Sequence, residues 1–275
     1  MALKLMYITN KPEVALIAEK NGVDRIWIDL EKLGKEERQK GMNTVKSDHT
    51  IDDIKKIKPL LSSSELLVRI DPWNNNSQTE IDEVVNAGAD IIMLPMWKSV
   101  QEVDNFLKAV DGRCKTTLLL ETKEAVDCLD DVLCNCKIDE IHIGLNDLHL
   151  SYGMTFMFES LANGLVEKLT RKFKAAGIPY GFGGIAKLGE GDLPAEKVIM
   201  EHYRLGSTRA ILSRSFCNTN IITNLNDVEN IFKTNMIELR NFEKSLTGEI
   251  NFQKNQEEVK EIVSKIVARK KEMSK

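Results

Sequence analysis

The sequence predicts an α/β fold, a single (β/α)8 TIM barrel with extra C-terminal helices. Three observations carry this: a recurring glycine junction, eight short apolar runs, and amphipathic stretches between them. The junction ends a helix at Gly and opens a β-branched run. It occurs at Asn21-Gly22-Val23-Asp24 before Arg25-Ile26-Trp27-Ile28-Asp29, at Ala87-Gly88-Ala89-Asp90 before Ile91-Ile92-Met93-Leu94, at Ala176-Gly177-Ile178-Pro179, and at Leu205-Gly206-Ser207. Glycine serves there because it enters the left-handed region without a Cβ clash. Strands are expected near 3–8, 25–29, 66–71, 90–94, 116–121, 138–143, 179–183 and 208–212. Between them, stretches such as Val100, Val103, Phe106, Leu107 and Val110 place apolar groups on one helical face. An open doubly wound sheet is the alternative, disfavoured because no GxGxxG follows the first strand.

Residues 1–224 read as the barrel and 225–275 as a helical extension, with helices expected over 225–247 and 251–275. In the last, Val259, Ile262, Val263, Ile266 and Val267 form one stripe, to be packed on the barrel or used as a subunit contact. At 275 residues, 42% hydrophobic and 29% charged, the chain is neither disordered nor fibrous. A net charge of −4 argues against a general nucleic-acid binder. No apolar run approaches the roughly 18 residues of a membrane helix, and Met1–Tyr7 is short for a secretion signal, so a cytoplasmic protein is expected. The five cysteines show no CxxC spacing. Cys128, Cys134, Cys136 and His142 are conceivable as a metal group, but ordinary thiols in a reducing cell are the simpler reading.

In a barrel of this kind the reactive face lies at strand C-termini, so polar residues there are informative. Glu121 follows the strand-like run Thr116–Leu120, where a charge needs a cation or hydrogen bonds. Asp147 lies one βα repeat onward. Two hard carboxylates without His or Cys favour Mg²⁺ or Mn²⁺; the alternatives are a Glu121–Arg69 ion pair and Asp147 as a helix cap. Arg69 stands within Leu66-Leu67-Val68-Arg69-Ile70, a fork-shaped cation whose partner is either Asp71 or a substrate anion.

Trp27-Ile28-Asp29-Leu30-Glu31, Val68-Arg69-Ile70-Asp71-Pro72-Trp73, Ala87-Gly88-Ala89-Asp90 with Met93-Leu94-Pro95, Leu119-Leu120-Glu121-Thr122 and Ile143-Gly144-Leu145-Asn146-Asp147-Leu148 together resemble the HpcH/HpaI aldolase and citrate lyase β-subunit family, in order and spacing from about residue 22 to 185. The resemblance implies a barrel of the pyruvate kinase-like sort, a homo-oligomer, and a divalent metal on Glu121 and Asp147. It implies that Arg69 holds the carboxylate of pyruvate or a related oxo acid, with Gly144 and Asn146 beside it on the substrate and Glu31 orienting water. The implied reaction is a carbon–carbon lyase step through a metal-stabilised enolate. A CoA-thioester lyase of citryl or malyl type, or a barrel that only binds an anionic ligand, is the alternative.

The sequence departs from the aldolase branch at Lys32, which follows Glu31 where that branch has His. Lys32 needs a much lowered pKa to act as a base. His49 is the best histidine substitute, with Asp48 or Thr50 capping the next helix; His149 is a further candidate, and His142 and His202 are assigned to packing. The stretches Gly34–Gln39 and Glu201–Phe216 resemble one branch of the family more specifically. Lys35 and Arg38, with Ser213 and Arg214 after the eighth strand, form a cationic rim. Gly181-Phe182-Gly183-Gly184 supplies backbone donors, or else a tight turn. Together they suggest a substrate with a phosphate or second carboxylate, unless Arg214 pairs with Glu190 or Asp192.

Overall fold

The computed structural model describes residues 2–34, 47–246 and 250–273. Its strands are β1 (Lys4–Ile8), β2 (Arg25–Asp29), β3 (Glu65–Arg69), β4 (Ile91–Leu94), β5 (Lys115–Leu120), β6 (Glu140–Ile143), β7 (Tyr180–Ile185) and β8 (Arg209–Leu212). Each is parallel to its sequence neighbours and β1 pairs with β8, closing the barrel. Gly22, Gly88, Gly177 and Gly206 take φ values of 88, 102, 69 and 74°, the left-handed turn expected at each junction.

Strand side chains alternate between faces, and that alternation builds two cores. Tyr7, Ile26, Ile28, Val68, Leu94 and Leu120 face outward into the layer shared with the helices. Met6, Trp27, Leu67, Ile91, Met93 and Leu119 fill the barrel as a separate apolar plug. One inward position before the plug, Arg25 donates to both oxygens of Glu140 at 2.6 and 2.8 Å and to Glu65 at 2.9 Å, with Arg209 3.2 Å from Glu140. One inward position beyond it, at the strand C-termini, stand Asp29, Arg69 and Glu121. The pleat that fills the barrel therefore also aims the polar groups of the site.

The helix Leu225–Ser245 packs on Pro12–Lys20, and Phe252–Met273 packs on Ala195–Leu205 and Glu159–Ala162. Val259, Val263 and Ile266 are buried in the barrel's own outer core. Of the two uses expected for that stripe, these three residues serve packing within the chain. Among the described residues no helix is long and apolar enough to cross a membrane.

Candidate active site

A cavity of about 390 Å³ opens at the C-terminal ends of the strands, lined in part by Asp29, His49, Arg69, Asn146, Asp147 and Arg214. A larger cavity of about 1060 Å³ is lined by residues leading into β3–β6, such as Ser64, Asp90 and Lys115, at the opposite end. That face supports stability in such barrels, so the smaller cavity is the functional candidate.

Asp29 is the hub of the site. Arg69 donates to it through Nε at 2.8 Å and Nη2 at 2.9 Å, and Ser47 Oγ donates to Asp29 Oδ2 at 2.9 Å. Glu31 Oε2 lies 3.3 Å from Arg69 Nη2, and the guanidinium sits 5.3 Å from the centre of the Trp27 ring. Burial alone would lower the Arg69 pKa, but the Asp29 and Glu31 carboxylates outweigh it and hold the group protonated. Asp71 is not the partner of Arg69: its Oδ1 accepts from the backbone N–H of Lys32 at 2.6 Å and Leu33 at 2.8 Å, fixing the loop after β2. The sequence reading missed Asp29, although its inward place at a strand end, in register with Arg69, was the available signal.

Glu121 is 2% exposed and accepts a hydrogen bond from the Met96 N–H at 3.1 Å. Met96 holds φ at 52°, a strained conformation that aims that N–H. Burial first, then Asp147 and Glu31, push the Glu121 carboxyl well above its ordinary range, with Arg69 and Met96 opposing. Neither structural alternative holds. The ion pairs of Arg69 go to Asp29 and Glu31 rather than Glu121, and the helix Leu145–Ser151 is capped at Gly144, with Asp147 in its first turn. Gly144 is not among the residues that line the cavity. A Cβ there would fall 2.6 Å from Glu121 Oε2, so glycine is what lets the carboxylate approach β6.

Lys32 is exposed and lines a separate cavity of about 620 Å³ with Asp71 and Glu80. His49 is buried and lines both cavities. Its Nδ1 accepts from the Asp29 N–H at 3.0 Å, which in the neutral ring puts the proton on Nε2. Thr50 and Asp53 form the capping box expected nearby.

Asn146, Ser213 and Arg214 line the cavity; Lys35 and Arg38 lie outside the described residues. Gly183 and Gly184 form neither a phosphate loop nor a turn, but lie within β7, at a register shift against β8. His149 is buried but does not line the cavity. Burial lowers the pKa values of His142 and His202 to about 3, and His202 stacks on Phe182 at 3.8 Å, as packing residues do. Among the described residues no group of three or more His, Cys, Asp or Glu is arranged to hold a metal, the cysteine cluster included.

Fold and site together define a (β/α)8 barrel with an acidic pole at the catalytic face. The model of the HpcH/HpaI aldolase/citrate lyase family matches residues 4–178, and the chain belongs to that family of lyases. Among solved structures, the HpcH/HpaI aldolase from Desulfitobacterium hafniense DCB-2 is similar at 17% identity and a TM-score of 0.56, over 77% of this chain and 86% of that one. An HpcH/HpaI aldolase/citrate lyase family protein from Burkholderia cenocepacia J2315 is similar at 12% identity and a TM-score of 0.59, over 87% and 94%. A variant of the citrate synthase SbnG is similar at 17% identity and a TM-score of 0.55, over 77% and 85%. No curated protein matches the sequence.

Proposed function

We propose that this chain is a divalent-metal-dependent carbon–carbon lyase that makes or breaks the bond next to the carbonyl of pyruvate or a related oxo acid. The observation that carries the reading is the state of Glu121, a buried carboxyl facing the negative charge of Asp147 and Glu31 while Arg69 is engaged by Asp29. Such a carboxyl is ionised only beside a further cation, and Glu121 with Asp147 would hold Mg²⁺ or Mn²⁺. Two carboxylates suffice when water and substrate oxygens complete the shell, which accords with the absence of a larger ligand group among the described residues. When bound, the ion would supply Lewis-acid stabilisation of enolate charge.

The protein's own groups then have separable tasks. Asp29 and Glu31 occupy Nε and Nη2 of Arg69, so a substrate carboxylate is left its Nη1. His49 donates from Nε2 to an oxygen that gains charge as the bond breaks. Glu31 receives and returns the proton through water. The cavity of about 390 Å³ has room for an oxo acid and a short second partner.

Deuterium uptake at the pyruvate methyl, followed by proton NMR in D₂O with Mg²⁺ or Mn²⁺, tests enolate formation without the second substrate being known. Wild type is expected to exchange the methyl protons and Glu121→Gln to lose the exchange; a wild type that exchanges none overturns the lyase. The placement of Lys32 and the N–H presented by His49 favour one other reading, a barrel that binds the oxo acid without turnover. It predicts pyruvate binding with no exchange.

A further inference from the structure

The sequence reading passed over Lys11, in the loop after β1. Its Nζ donates 2.7 Å to the carbonyl of Thr219, in the loop after β8, and both residues line the 390 Å³ cavity. That acceptor is neutral, and among the described residues no carboxylate pairs with the ammonium. Arg214 lines the cavity from the same β8 loop, and Asn10, Asn218 and Thr219 add amides and a hydroxyl. The loop is fixed in place: Tyr7 Oη donates to the carbonyl of Cys217 at 2.9 Å and Asn235 Nδ2 to that of Phe216 at 2.8 Å. The cavity lining thus carries the Asp29–Arg69 pair and Asp147 at the ends of β2 and β3 and after β6, and two further cations, Lys11 and Arg214, in the loops after β1 and β8.

We propose that Lys11 and Arg214 form a subsite for an anionic group, a phosphate or a carboxylate. Placing that group at the end of the substrate away from the reacting carbonyl rests on the lyase reading above; the subsite itself does not. A molecule with an oxo acid at one end and an anion at the other would align its charges with those of the walls. Cations beside polar donors in a cavity wall are the arrangement that recognises such groups.

The test is calorimetric titration of inorganic phosphate, and separately of malonate, into metal-free protein. The proteins compared are wild type, Lys11→Met, Lys11→Arg, Arg214→Gln and Glu121→Gln, each checked for folding by circular dichroism. Wild type is expected to bind at least one anion, the tighter one identifying the group as phosphate or carboxylate. Affinity should fall roughly 10- to 100-fold in Lys11→Met and Arg214→Gln, the loss of one charged hydrogen bond. Lys11→Arg and Glu121→Gln should bind as wild type does. No binding by wild type, unchanged binding in Lys11→Met, or loss in Glu121→Gln would each overturn the subsite. Should Lys11→Met fail to fold, Arg214→Gln and Lys11→Arg decide the matter. Failure of the lyase reading shows separately, as absent methyl exchange with anion binding intact.

Discussion

Gly144→Ala perturbs the site without touching a charged or hydrogen-bonding group. The backbone there, at φ −81° and ψ 86°, is open to alanine, so any cost is steric. The new methyl would lie 2.6 Å from Glu121 Oε2, 3.0 Å from Glu121 Cβ and 3.3 Å from Leu119 Cδ1. Because β5 and β6 are held by their ladder, the Glu121 carboxylate must give way and its 3.1 Å bond from Met96 is the first to lengthen. Overpacking of this size costs about 1–3 kcal/mol, a fall of roughly 2–12 °C in Tm for a chain of this length. Displacing a catalytic carboxylate by about 1 Å costs on the order of 100-fold in rate. Urea denaturation and the pyruvate exchange assay measure the two effects. In the double variant Gly144→Ala with Glu121→Ala the 2.6 Å contact with Oε2 is gone and only the milder contacts with Cβ and Leu119 stay, so it should be more stable than the two single costs combined imply. Strict additivity, or full exchange activity in Gly144→Ala, would refute the close approach.

Replacing Arg25 by Met leaves the buried Glu140 with Arg209 and the partly exposed Glu65 with Lys115; a loss of about 3 kcal/mol is expected in denaturant unfolding, and under 1 kcal/mol would show that Arg25 is dispensable. His49→Gln keeps an amide donor and should retain much more exchange activity than His49→Ala, which is expected to lose roughly 100-fold or more. Equal loss in both would remove the donor role. Burial raises the Glu80 carboxyl to about 7 from its ordinary 4.5, so its folded form binds a proton more readily than its unfolded form. Its contribution to stability is then complete below about pH 4.5 and lost as pH rises through about 7. Glu80→Gln should flatten the fall in Tm across that window, and an unchanged profile would show that Glu80 does not cause it.

The barrel was legible because its signals are local and repeated. Glycine punctuation at Gly22, Gly88, Gly177 and Gly206 and the short apolar runs placed every strand end within two residues. The polar groups at strand ends, Arg69, Glu121 and Asp147, were legible for the same reason. Pairing was not. Arg69 meets Asp29 across the β2–β3 register instead of Asp71 two residues along its own strand, and nothing in spacing distinguishes the two. Lys32 leaves the site because Asp71 captures its backbone N–H, a long-range contact. Lys11 went unnoticed because a lysine at a helix start reads as a solvated side chain; its meeting with Thr219 depends on closure of β1 onto β8.

Calorimetric titration of Mn²⁺ in the presence of oxaloacetate, into wild type, Glu121→Gln and Asp147→Asn, asks most directly whether the acidic pole holds a divalent ion. One ion per chain is expected in wild type, with affinity lowered at least about 100-fold in each variant, as removal of a charged ligand demands. Equal affinity in all three proteins, or no uptake by wild type, would contradict it.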